Sequence, residues 1–370
     1  MKSARNRAAF RCGTVILTAI LVIASISLTS CSFKPLIPTQ DKPSEEPTYE
    51  PSNTDIKTSD GEKNDPGKVV YYNPLTGLIS GIDLSGVRPV AVCIGNTTDG
   101  MPQYGLDCAD ILLEAPVEGG STRLTLISCT YAGAARIGSL RATRSYLLSI
   151  ADAFGAVSVY SGTSDLLPTT AYPRYDTLDA ASDGLSTVFF RNAALRAPND
   201  LFTSGTRLVG AMENFAKKSV QLPFVFAEEG TSVTPGSGLA SGVVIPFSST
   251  QTTKFTYDAA SATYLRTQNN QPHTMGDGGA QLAFTNLLLL TCESSTHYKV
   301  TGTEMELNVQ GGGRGQYISG GAYQEILWNR TADGRLQITD LSGNVLQVNR
   351  GKTYIGLIDL VTSGSVMIVQ

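Results

Sequence analysis

The sequence predicts an α/β or α+β protein: an N-terminal mixed-sheet α/β domain over 69–228, a linker at 229–242, and a β-rich, mainly antiparallel C-terminal domain over 243–370. Three observations lead there. At about 100 to 200 residues per domain, 370 residues are enough for roughly two domains. Strand-like and helix-like periods alternate as far as about Gln221, the pattern of helices covering a sheet. Beyond a Gly/Ser/Thr/Pro-rich stretch at 229–242, short apolar–polar alternations separated by turn residues take over.

Residues 1–30 read as an address rather than a fold element. Lys2, Arg5, Arg7 and Arg11 form a basic start, and Gly13 to Leu28 form an apolar run too short for a comfortable membrane span. Leu28-Thr29-Ser30-Cys31 then matches the bacterial lipobox, so the mature chain is expected to begin at a lipidated Cys31, on the extracytoplasmic face of a membrane. Loss of those four cations takes the formal charge from −4 to −8. Such an acidic body lacks the basic face a general nucleic-acid binder needs, and no nucleic-acid partner is expected. Residues 32–68 hold 6 of the 17 prolines, mixed charges and few large apolar groups, a composition expected of a tether.

Element by element, Arg88 to Asn96 (RPVAVCIGN) reads as a buried strand, and Asp110 to Tyr131 as two strands joined through Gly119-Gly120. Thr143 to Phe154 places Tyr146, Leu147, Ile150 and Phe154 on one helical face, with Gly155 as a stop. AVSVYSG returns as a strand, and a second helix is expected over Leu208 to Lys217. In the second half VVIPFS, TKFTYDAASATYLRT, YQEILWNR, RLQITD and KTYIGLID read as strands, with DAAS, TADG and LSGN as turns. Gly311 to Gly315 read as a loose hairpin connection, and Gly351-Lys352-Thr353 as a β-turn rather than a phosphate loop.

Several motifs in one order resemble the YerB-type bacterial lipoproteins: NPLTGL (73–78), RPVAVCIGN, QYGLDCADILLEAPVEGGSTRL (103–124), RIGSLRATRSYLLSIADAFGAVSVY (136–160), APNDLFTS (197–204), QPHTMGD (271–277), GGGRGQYISGGAYQEILWNR and RGKTYIGLID (350–359). The resemblance implies a two-domain, membrane-anchored lipoprotein and carries no biochemical activity with it. It also marks departures: Gly95 stands where the family has Asp, Tyr160 near a common His, Asn199 in place of a His, and Met275 in place of an acid.

Candidate site residues follow from residue chemistry. Between Val69 and Ala216 there are nine Arg and no Lys. Arg offers a planar fork that matches carboxylate or phosphate, so Arg123, Arg136, Arg141 and Arg144, with Glu118, form a candidate anion-binding group. Two readings stand side by side: these Arg bind an anionic ligand, or they pair internally with Glu114, Glu118, Asp152 or Asp165. Glu114 and Glu118 are candidate acid–base carboxylates, and His273 in its Pro-His turn beside Asp277 is a third catalytic candidate. No nucleophile elbow, zincin or dinucleotide motif is present, and no cofactor or metal is expected. Cys93, Cys108, Cys129 and Cys292 admit three disulfide pairings or four free buried thiols.

The expected function is an envelope module that binds an anionic wall polymer or an envelope protein through the Arg-rich site. The alternative is an envelope hydrolase or transferase using Glu114 or Glu118 with Arg stabilisation.

Overall fold

A computed structural model describes residues 69–164, 175–182, 186–276, 278–299 and 302–370. Cys31 with its signal and tether, Asp165, Arg174 and Asp277 lie outside the described residues. No helix among the described residues is long and apolar enough to cross a membrane.

Strands dominate. The first half supplies β1 (Val90–Gly95), β2 (Ile111–Pro116), β3 (Thr122–Ser128), α1 (Ser145–Ala153), β4 (Val157–Tyr160), β5 (Thr177–Asp179) and α2 (Gly205–Met212). The second half begins with β6 (Gly238–Leu239), β7 (Gly242–Pro246), β8 (Thr252–Asp258) and β9 (Thr263–Gln268). It continues with β10 (Asn286–Lys299), β11 (Gly302–Asn308), β12 (Gly312–Ser319) and β13 (Ala322–Arg330). It ends with β14 (Leu336–Asp340), β15 (Thr353–Asp359) and β16 (Met367–Val369).

A twelve-stranded mixed sheet runs β6-β13-β12-β10-β15-β2-β3-β1-β4-β5, with β11 beside β10 and β14 beside β13. Strands from both halves share it. The joint is parallel: β10 pairs with β15, and β15 with β2 in the register Thr353↔Ile111 to Gly356↔Glu114. β1 and β2 are buried along their whole length, as expected of strands covered on both faces. A six-stranded antiparallel sheet of β7, β8, β9, β16 and the short strands Gln271–Pro272 and Ala283–Phe284 forms a second layer.

Apolar residues of the large sheet alternate between its faces. Leu113, Ala115 and Ile127 point to the face carrying Tyr146, Ile150 and Phe154 of the α1 segment. Leu112, Leu124 and Leu126 point to the face packed on Val243, Ile245 and Phe255 of the second sheet. Phe255 also meets Tyr354 at a centroid distance of 4.7 Å. Each fully buried Leu, Ile or Phe contributes about 1.5 to 3 kcal/mol.

Three local expectations shift. The first helix starts at Ser145, and it is buried nearly all round because Gln310 and Arg330 cover its outer side through Ser149, at 2.7 Å to the hydroxyl and 2.9 Å to the carbonyl. The second helix spans Gly205–Met212 rather than Leu208 to Lys217, since Ser204 caps it by accepting from Arg207 N at 3.4 Å. Gly312 to Gly315 lie inside β12 rather than in a hairpin connection. There a Cβ on Gly313 would meet Thr291 O at 2.4 Å and one on Gly315 would meet Leu289 O at 2.4 Å, so the neighbouring strands approach too closely for a side chain. The 14-residue β10 and its partner β11 had no counterpart among the sequence expectations.

All four described cysteines are free thiols, and burial pushes Cys108 and Cys292 each up to about 12, which keeps them protonated and unreactive at neutral pH.

Candidate functional site

Two charged clusters sit on opposite faces of the large sheet. The first grows from Glu114 on β2, which shares a face with Leu112 and looks toward the second sheet. Tyr264, Arg266 and Gln268 occupy the buried positions of β9, whose burial alternates strictly, and Thr253 does the same on β8. Glu114 and Arg266 therefore meet with both side chains 0% exposed, Nη2 to Oε2 at 2.8 Å.

Every lone pair of Glu114 is directed at a donor. Oε1 accepts from Asn96 Nδ2 at 3.0 Å and Thr122 Oγ1 at 2.7 Å, Oε2 accepts from Tyr354 OH at 2.8 Å, and Thr253 Oγ1 lies within reach of both at 3.2 and 3.0 Å. Arg266 continues through Nη1 to Gln268 Oε1 at 3.1 Å and to His273 Nδ1. Because a guanidinium only donates, Nδ1 is the acceptor and the ring proton is on Nε2, which donates to Gln103 Oε1 at 2.7 Å. Gln103 Nε2 then donates to Asn96 Oδ1 at 3.0 Å. Glu114, Arg266, His273, Gln103 and Asn96 thus close a hydrogen-bonded ring that ties β2 to β9. Burial, then the Arg266 charge, hold His273 well below the usual imidazole range, so it is neutral. Burial and the adjacent Glu114 carboxylate raise Tyr354.

The second cluster lies on the α1 face. Past Val92 the strands β1 and β4 separate, and residues 140–143 enter between them: Arg141 N donates to Cys93 O at 3.0 Å, and Ser161 N donates to Arg141 O at 3.1 Å. Crevices at strand ends of this kind are where α/β sheets bind ligands. The Arg141 side chain crosses Gly95, where a Cβ would come within 2.9 Å of its Nε, and Nη2 bonds Asn199 Oδ1. Arg123 stands opposite Gly95 in the β1–β3 ladder. Its Nε and Nη1 make only long bonds to the carbonyls of Ala142 and Thr122, 3.3 and 3.4 Å. Burial and then Arg123 lower the Arg141 pKa, so the two guanidinium groups feel each other. The buried Arg141 Nε has no hydrogen-bond partner.

The four predicted Arg do not act as one set. Arg144 is committed to Glu118 through two nitrogens, with 6% and 27% of the two side chains exposed. Arg136 stacks on Tyr104, 3.8 Å from the ring centroid. Arg123 and Arg141 have no ion pair with a carboxylate among the described residues. Glu114 and Glu118 likewise part company, because β2 ends at Pro116 and Glu118 sits in the following turn.

The family description "Protein of unknown function (DUF3048) N-terminal domain" matches residues 75–218, and its C-terminal domain matches residues 243–355. The chain belongs to the DUF3048 family. It is 26% identical over 302 residues to a Bacillus subtilis (strain 168) protein named "Putative lipoprotein YerB", covering 79% of this chain and 88% of the relative. The crystal structure of YerB protein from Bacillus subtilis superposes with a TM-score of 0.68 at 23% identity, over 81% of this chain and 99% of that one, which shows a shared fold.

Gly95 and Asn199, two positions that the resemblance marks as departures, both lie against Arg141. Sequence reasoning missed Arg266, Thr253, Gln103 and Tyr354. Arg266 had a signal, a cation at an inward position of an alternating strand, but Glu114 lies 152 residues away.

Proposed function

We propose that the protein is a lipid-anchored extracytoplasmic lipoprotein whose folded body holds an anionic envelope component, or an acidic patch of an envelope protein, on Arg123 and Arg141. One observation carries the binding half: two neighbouring guanidinium groups, one from the start of β3 and one from the segment between β1 and β4, form no ion pair with a carboxylate among the described residues, and one has an orphaned buried Nε. An anion bridging them would relieve the repulsion and satisfy that donor. The lipobox ending at Cys31, with the name of the B. subtilis relative, supports the anchor.

A hydrolase or transferase using Glu114 or Glu118 has less behind it. Glu114 is sealed and fully bonded, and Glu118 is held by Arg144.

Thermal denaturation of the protein with inorganic phosphate, polyol phosphates, muropeptides and uronic glycans tests the binding. A selective ligand at about 100 times its dissociation constant stabilises by about 2.7 kcal/mol. That gain should vanish in Arg123→Ala/Arg141→Ala and in Gly95→Asp, whose carboxylate would be placed against Arg141. No gain with any anion, or an equal gain in the double variant, would remove the proposal. Labelled fatty acid should enter the wild-type chain and not Cys31→Ala.

A further inference from the structure

A third feature lies apart from both clusters. The loop leading into β1, the turn after β3 and the end of α2 enclose an open cavity of about 480 Å³, within the range of small-molecule sites. Its walls are Leu84, Val87, Tyr131, Val209, Met212 and Phe215, and they are far more apolar than polar. Val209 is 43% exposed and the neighbouring Ile82 is 65% exposed, so large apolar side chains at this cavity face water. The rim carries Arg88 and Lys217 against one acid, Glu213. Arg88 is already committed to Gly155 O, Ala216 O and Asp176. Lys217 has no acid partner among the described residues, and its Nζ lies 4.0 Å from where a Cβ on Gly86 would stand, over the loop that forms one wall.

From this geometry we infer that the groove binds an anionic single-chain lipid, with the alkyl chain laid against Val87, Tyr131, Val209 and Phe215 and the anionic head group on Lys217. Two features select this occupant. The groove is apolar inside and carries Lys217, a cation with no acid partner among the described residues, at its rim, which complements an amphiphile with one tail and a negative head. Its wall at residues 82–87 follows the short strand pair Tyr71–Tyr72 and Ile79–Ser80 early in the described residues, and the anchored state proposed above would supply a membrane rich in such chains. The inference rests on that anchored state only for the source of the lipid, and not on the anion site at Arg123 and Arg141.

The test is calorimetric titration of the full chain with dodecyl phosphate below its micellar concentration, beside dodecyltrimethylammonium and inorganic phosphate. One dodecyl phosphate should bind per chain, and the cationic amphiphile and inorganic phosphate should bind more weakly at this site. Val209→Asp places a charge on the apolar wall at a part-exposed position where folding tolerates it, and should weaken dodecyl phosphate by about tenfold or more. Lys217→Glu should weaken dodecyl phosphate and improve the cationic amphiphile. Arg123→Ala/Arg141→Ala should leave this binding unchanged, which separates failure here from failure at the anion site. Binding that survives Val209→Asp, or that is indifferent to head-group charge, overturns the inference, as does no binding at all.

Discussion

The two charged clusters differ in one respect that decides what each can do. Glu114 and Arg266 face the inside of a two-sheet core, where Asn96, Thr122 and Tyr354 donate to the carboxylate and the ion pair leaves only Nε of Arg266 without a hydrogen-bond partner. Arg123 and Arg141 face the parting of β1 and β4, where among the described residues neither forms an ion pair with an acid and Asp200 acts on Arg141 only through its charge. Similar side-chain chemistry is therefore paired off as a clasp on one face of the sheet and left without an ion pair, among the described residues, on the other. Charge type alone does not distinguish the two roles; the presence of compensating groups does.

The sharpest way to break the comparison is to unbalance the clasp. Arg266→Met leaves Glu114 charged and buried, and should cost about 3 to 5 kcal/mol in urea denaturation. The pair Glu114→Leu/Arg266→Met should cost much less than the two single changes together, because it strands no charge. An additive double variant would show that the two residues do not act as a unit. Next in size is the ligand-dependent gain of about 2.7 kcal/mol at saturating anion, which the clasp variants should keep in proportion to their folded fraction and the Arg123/Arg141 variants should lose.

Acid sensitivity comes third. His273 is neutral in the fold with its pKa depressed, whereas the unfolded chain takes up a proton near the ordinary value of 6.5. Its contribution is therefore fully present above about pH 6.5 and is lost as pH falls below it, at up to about 1.4 kcal/mol per pH unit. His273→Gln should flatten that part of the profile; an unchanged slope would show that another group sets it. The smallest effect is expected at Glu118, whose carboxylate is 27% exposed. Glu118→Gln should cost no more than about 1 kcal/mol, while the released Arg144 should tighten anion binding a few-fold in the same titration.

Much of the local structure was legible. β1, the β2–β3 pair joined through Gly119-Gly120, the β8–β9 hairpin and β13 to β15 all follow from periodicity and turn residues, which neighbouring residues express by themselves. The stop at Gly155 also held, with φ at 73°. The long β10 was hidden because its apolar half, paired between β12 and β15, gives way to an exposed polar half paired with β11, so no single period runs through it.

By itself the sequence determined most of the segments that become strands, the class of the fold, the family motifs and the pool of Arg from which the two clusters draw. The tertiary structure decided the rest: that β15 pairs with β2 and joins the two halves in one sheet, that Glu114 answers to Arg266 rather than to Glu118, and that Arg144 pairs with Glu118 while Arg123 and Arg141 form no ion pair among the described residues. The physical reason is range. Propensity and alternation act over a few residues along the chain, whereas the partner of a buried charge is selected by which surfaces the whole core brings together.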